Sequence, residues 1–124
     1  MQRIPIFIAL ITAATPALAQ DNSIGKAVFT QKCAVCHYDP AKPDIQPRMG
    51  PSLKGVVGRK AASSPQYARY SPAMKRSGKV WNKATLDAYL TAPAKVVPGT
   101  TMAFAGLPDA AKRAAIINYL TAPK

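Results

Sequence analysis

Apolar residues recur along this chain at helical rather than strand spacing, in three separate places. In SIGKAVFTQKCAVC (residues 23–36), Gly25, Phe29 and Cys33 stand four apart and Cys36 three further on, so one helical face carries all four. This spacing predicts a first helix with the cysteine pair at its end. In WNKATLDAYLTAP (81–93), Leu86, Tyr89 and Leu90 form an i, i+3, i+4 stripe between Asn82, suited to an N-cap, and Pro93, a stop. LPDAAKRAAIINYLTAP (107–123) opens with Pro108 and Asp109, both suited to a helix's first turn, and carries a stripe of Ala115, Ile116, Tyr119 and Leu120. SPAMKRSG (71–78) predicts a shorter helical turn, capped by Ser71, opened by Pro72 and closed by Gly78. With no strand pairs and no internal repeat, the expected fold is all-α.

The stretch from His37 to Tyr70 breaks this pattern. It is rich in proline, glycine and polar residues, and loops of that length are uncommon inside a small domain. Yet Leu53, Val56, Val57, Tyr67 and Tyr70 are spaced through it, and buried apolar groups are what disordered segments lack. The loop is therefore expected to pack on something that is not protein. A large, flat, apolar cofactor would supply the missing core.

The start of the chain indicates a compartment. Arg3 precedes an apolar run, and Ala17-Leu18-Ala19 before Gln20 has the small-x-small form of a signal-peptidase site. Residues 1–19 are read as a cleaved secretory signal and 20–124 as one domain, exported into a bacterial periplasm. An uncleaved anchor is the alternative, but the run from Ile4 to Leu18 is shorter than the roughly 20 apolar residues a spanning helix needs and holds two prolines. No stable membrane insertion is expected.

Charge then points to a kind of partner. Removing Arg3 with the leader lowers the formal charge of +12 by one, to +11, and the body contains no glutamate and five aspartates. Such a surplus lies mostly on the surface and favours acidic partners. Nucleic acid also fits raw charge, but an exported protein rarely meets it and the chain lacks aromatic–basic interleaving.

The candidate chemistry is concentrated in KCAVCH, residues 32–37. A disulfide across two spacer residues closes too small a loop to constrain the unfolded chain much, and leaves His37 unexplained. A zinc site needs about four ligands, against two cysteines and a single histidine here. A redox dithiol fits export, but that motif belongs beside a βαβ unit. Cys-x-x-Cys-His is also the signature of covalent c-type haem attachment, in which the thiols add across vinyl groups and the adjacent imidazole reaches the iron. This reading uses every residue of the cluster. The thiol–disulfide oxidoreductase remains the alternative if no haem is attached.

The order of KCAVCH, RMGPSLKGVVGRKA, Trp81, DAYLTAP, PGTTMAFAG and IINYL resembles that of class I cytochromes c, the mitochondrial protein and its soluble bacterial periplasmic relatives, from about Ile24 to Leu120. The resemblance implies a small fold of crossing N- and C-terminal helices, with loops wrapped around one haem c attached through Cys33 and Cys36. It implies His37 and Met102 as axial ligands; Met102 lies in a loop similar to the family's ligand loop, whereas Met49 and Met74 are expected to be packing. Pro51 matches the proline whose carbonyl accepts the imidazole N–H, and Tyr89 the tyrosine near the thioether sulfur. Arg59, Tyr70, Trp81 and Thr100 resemble the groups around the haem propionates. Gly25 and Phe29 against Ile116, Tyr119 and Leu120 resemble the crossing of the terminal helices.

Three departures stand out. The segment from Tyr38 to Met49 is proline-rich and lacks the family's usual run; SSPQYARYSPAM carries one additional residue, leaving either Tyr67 or Tyr70 for the propionate; and Thr101 replaces a lysine common before the ligand methionine. With both axial positions filled, the implied function is not enzymatic. It is a monomeric electron carrier between acidic redox proteins such as a cytochrome bc complex, an oxidase, a photosynthetic reaction centre or a dehydrogenase. Lys32, Lys54, Lys95 and Lys112 are the candidates to surround the haem edge. A Met102 that did not ligate would instead leave a five-coordinate iron open to gases or peroxide.

Overall fold

Helix α1 (Ser23–Lys32) and helix α5 (Ala110–Thr121) cross against each other, and what permits the crossing is a missing side chain. Gly25 of α1 lies on the backbone of α5: a Cβ built there would overlap the carbonyl oxygen of Ala115 and stand 2.7 Å from Tyr119 Cβ. Phe29, one turn later, is fully buried, with its ring 5.7 Å from that of Tyr119. The computed structural model describes residues 22–42 and 48–122. The expected leader, 1–19, and Asp44 in the long loop lie outside the described residues.

The other helices are α2 (Pro72–Arg76), α3 (Lys83–Thr91) and α4 (Pro93–Val96). The side chains at their N-termini explain where they begin. Ser71 Oγ accepts the Met74 N–H at 3.0 Å, Asn82 Oδ1 accepts that of Thr85 at 2.8 Å, and Asp109 Oδ1 accepts that of Lys112 at 3.1 Å. Asp109 is thus the cap of α5 rather than part of its first turn, and Pro108 stands outside the helix. Pro93 stops α3 as expected, by holding Ala92 before it out of the helical conformation, and its fixed φ also starts the short α4, which the apolar pattern did not foretell. Helix α3 packs on both α4 and α5.

The first helix ends earlier than its apolar stripe suggests. The N–H groups of Cys33 and Ala34 share the Phe29 carbonyl, and those of Cys36 and His37 share the Cys33 carbonyl. This doubling breaks the ladder, so Cys33 caps α1 and Cys36 lies in a turn, not on the helical face. The loop from His37 onward is not wholly without strand pairing either. Lys60 and Val80 form an isolated antiparallel bridge. Val56 is buried in the core, while Leu53 and Val57 pack against it partly buried. Among the described residues no helix is long and apolar enough to cross a membrane.

One polar contact ties α5 to the turn beyond His37. Tyr119 Oη donates to Asp39 Oδ1 at 2.7 Å. Burial pushes Asp39 up, but the Tyr119 hydroxyl, the Ala41 N–H and the charges of Lys26 and Lys42 outweigh it and hold the carboxyl below its ordinary value. Burial, then the bond and charge of Asp39, push the phenol up to about 12.

Two outcomes follow from these contacts. Gly25→Val forces the helices apart and is expected to lower the unfolding free energy of the haem-loaded protein by about 1–3 kcal/mol, the usual effect of overpacking, as read by denaturant titration. A depressed carboxyl contributes stability above its ordinary pKa and loses it as pH falls through the folded value, so Asp39→Asn should melt below the parent at neutral pH. That gap should narrow as the pH drops below about 4; a gap independent of pH would remove the role given to the carboxylate.

Candidate functional site

The helices and the long loop leave between them a cavity of about 260 Å³, and every site residue singled out from the sequence lies on its wall. The turn after α1 brings Cys33, Cys36 and His37 to it, the approach to α3 brings Trp81, and α3 itself brings Tyr89. Loops bring the other predicted site residues, Pro51, Arg59, Tyr70, Thr100 and Met102. The turn geometry described above is what puts both thiols and the imidazole on one surface.

His37 is 8% exposed, and its ring is oriented by two neighbours. Nδ1 stands 2.7 Å from the carbonyl oxygen of Pro51, an acceptor that can only be served by an N–H. The proton is therefore on Nδ1 and the lone pair on Nε2. Burial holds the imidazole below its ordinary pKa, against the opposing effect of the Pro51 carbonyl, so the ring is neutral near pH 7. Gly50 covers the ring: a Cβ there would lie 2.6 Å from Cε1 and 2.8 Å from Nδ1. Its N–H bonds the Cys36 carbonyl at 2.8 Å, joining the loop to the motif. Nothing in the helix or cap patterns singles out Gly50; its place between Met49 and Pro51 is its only sequence signal.

No disulfide joins Cys33 to Cys36. Burial, and after it the adjacent Cys36, push the Cys33 thiol up to about 11. A redox dithiol works through a lowered thiol pKa, so this environment is the reverse of what that chemistry uses. Among the described residues no three His, Cys, Asp or Glu side chains converge as a metal-binding group.

Met102 is half-buried, in the loop between α4 and α5. Its N–H donates to Thr100 Oγ1 at 3.3 Å, and the same hydroxyl meets Tyr89 Oη at 3.0 Å. Burial raises the Tyr89 pKa, with the Thr100 bond opposing, so the phenol stays protonated. One threonine thus couples α3 to the Met102 backbone. Met74 is half-buried against the core, as expected, and Met49 lies outside that core, on the cavity wall. Its carbonyl accepts the Tyr67 hydroxyl at 2.7 Å.

The cationic and phenolic groups are arranged around the wall by the long loop. Arg59 spends its guanidinium on the carbonyls of Ser52 at 2.9 Å and Lys54 at 3.1 Å, which curls that loop about the charge. Tyr70 Oη accepts the Ser64 N–H at 3.3 Å, and Tyr67 and Tyr70 both line the cavity with their rings 4.9 Å apart. Of the four candidate docking lysines, all exposed, Lys32 lines the cavity and Lys54, Lys95 and Lys112 do not. Lys112 stands 3.9 Å from Asp109.

The donor set suits haem. A covalent tether needs two thiols beside the cavity, and an iron ligand needs a neutral imidazole with a free lone pair; both are present on a predominantly apolar wall.

Comparison with known proteins agrees with this. Residues 23–122 match the family model described as cytochrome c. The chain is 46% identical over 112 residues to cytochrome c2 of Rhodomicrobium vannielii, covering 90% of this chain and 86% of that protein. It is 48% identical over 103 residues to cytochrome c2 of Rhodoblastus acidophilus, covering 83% and 92%. Its fold is similar to that of cytochrome cH from Methylobacterium extorquens, with a TM-score of 0.71 and 41% identity over 81% of this chain and 96% of that one. The chain belongs to the cytochrome c family, whose members carry one covalently bound haem c, and Cys33 and Cys36 stand at the attachment position of its Cys-x-x-Cys-His motif.

Proposed function

We propose that this protein is an exported electron carrier of a bacterial periplasm, with residues 1–19 as its cleaved leader and with His37 and Met102 as the two axial ligands of its single haem. The bond from His37 Nδ1 to the Pro51 carbonyl carries the reading. It assigns the proton to the nitrogen away from the metal and makes Nε2 a better donor. Met102 lines the same cavity, and Thr100 with Tyr89 holds its backbone in place.

Bound haem supplies a one-electron ferric/ferrous couple. The chain's own residues then determine what that couple does. With an imidazole and a thioether both provided by the protein, no ligand position is left for a substrate, which favours electron transfer over catalysis. The same ligands serve both oxidation states, so little has to move with each electron. Trp81 and Tyr89, both buried, keep water from the wall. Arg59, Tyr70, Trp81 and Thr100 are the groups offered to the propionates, charges that would otherwise be poorly solvated.

The surplus of positive charge fits the second half of the task. A carrier must meet a donor and then an acceptor, and a cationic surface speeds encounters with acidic docking sites while keeping them salt-sensitive. A cytochrome bc complex, an oxidase, a reaction centre or a dehydrogenase presents such sites, and the carrier works as a monomer through a small interface.

Replacing the thioether tests the ligand pair. Met102→Ala should abolish the far-red charge-transfer absorption of the ferric protein and lower its midpoint potential by on the order of 200 mV, within the roughly 0.8 V that axial ligands span. An unchanged spectrum would sink the assignment. Gly50→Ala should turn the His37 ring and break its bond to Pro51, lowering both the potential and, by about 1–3 kcal/mol, the unfolding free energy. Redox titration and denaturant unfolding check the two effects separately.

A further inference from the structure

Arg113 would be read from the sequence as one more solvated cation, and in the folded chain it is among the buried residues, at 9% exposure. Its guanidinium turns back from α5 toward the loop that carries Met102. Nε donates to Asp87 Oδ1 on α3 at 2.8 Å, and Nη1 donates to the carbonyls of Leu107 at 2.9 Å and Pro108 at 2.8 Å. Those carbonyls precede the Asp109 cap and lie outside the α5 ladder, and Pro108 has no N–H to offer in return. The arginine satisfies acceptors that the backbone leaves over.

The same point is where the loop closes on itself. The chain leaves α3 after Thr91 and returns at Gly106 and Leu107. The Leu107 N–H donates to the Leu90 carbonyl at 2.8 Å, and Gly106, at φ 119°, lies against the Thr91 carbonyl where no Cβ fits. Both feet of the Met102 loop therefore stand on the last turn of α3. Arg113 ties the returning foot to Asp87, one turn earlier on that helix. Neither Asp87 nor Arg113 lines the cavity.

We propose that the Asp87–Arg113 pair is the latch of the Met102 loop: two positioning residues that touch neither the thioether nor the cavity wall and that set how often the loop opens as a unit. Local segments of a native protein open with free energies below that of global unfolding, and the contacts at their feet decide the difference. Here one of those contacts is a desolvated guanidinium on two loop carbonyls. Asp87 is the group that makes its burial tolerable, because a buried charge without a partner is costly. Releasing the loop would release Met102, so the inference rests on Met102 being the ligand; the loop's own opening is measurable without that premise.

The test uses the haem-loaded ferric protein and its Asp87→Ala and Asp87→Asn variants. Two rates are read: amide hydrogen exchange at Met102, Phe104 and Leu107 against Phe29 and Ile117 in the crossing helices, and the rate at which added imidazole displaces the iron's sixth ligand. In Asp87→Ala the loop amides should exchange about tenfold to a hundredfold faster, the equivalent of one charge-assisted hydrogen bond. Phe29 and Ile117 should change by less than a third of that factor, and imidazole entry should quicken with the loop. Asp87→Asn keeps an oxygen for Nε to donate to and should fall between. Equal acceleration in loop and crossing helices would reduce the pair to an ordinary staple between α3 and α5 and overturn the proposal, as would no change at the loop. If the Met102 assignment is what fails, the unaltered protein lacks the far-red absorption and imidazole entry is indifferent to the variants, while the exchange comparison still decides the latch.

Discussion

The space of one methyl group, absent at Gly25, sets where the rest of this protein can lie. Because α1 rests directly on the Ala115 carbonyl, the segment that follows it stays within reach of α5, where Tyr119 bonds Asp39. That segment carries both cysteines and the histidine. At the other end of the same contact α5 brings Leu120 to the cavity wall, and its first turns bring Arg113 to the foot of the Met102 loop. A wider crossing would move the thiols and the returning loop apart together.

Around that crossing the chain solves one recurring problem, that of backbone carbonyls with no helical partner. Pro51 gives its oxygen to His37, Ser52 and Lys54 give theirs to Arg59, Met49 to Tyr67, and Leu107 and Pro108 to Arg113. Each of these side chains is thereby fixed by main chain, and main chain is less free than another side chain. The consequence for chemistry is greatest at His37. Its tautomer, its orientation and its lone pair all follow from an acceptor that is a proline's carbonyl.

Much of this was legible in the residues themselves. Asn82, Ser71 and Asp109 are local signals acting on the next three residues, and the caps they predict are present, with Asp109 displaced only from the first turn to the cap. The Cys-x-x-Cys-His spacing and the Met102 loop were legible too, the second through resemblance. What stayed hidden depends on residues far apart. Arg113 looks like any exposed arginine until Asp87, 26 positions earlier, and the returning loop surround it. Met49 faces the cavity rather than the protein core, and its carbonyl accepts the hydroxyl of Tyr67, 18 positions later. The early end of α1 comes from shared carbonyls at Phe29 and Cys33, a backbone event to which side-chain periodicity is blind.

The small ladder at Lys60 and Val80 has its own consequence for how such a chain can change over evolutionary time. Gly58 N–H meets the Trp81 carbonyl, Trp81 N–H the Arg59 carbonyl and Ala61 N–H the Lys79 carbonyl, all within 2.9 Å. Everything between Ala62 and Gly78 is consequently an excursion from a clasped base. Lengthening a flexible excursion is cheap, about 0.6 kcal/mol for each doubling of a loop. Added length there would leave the clasp, and with it the indole of Trp81, in place.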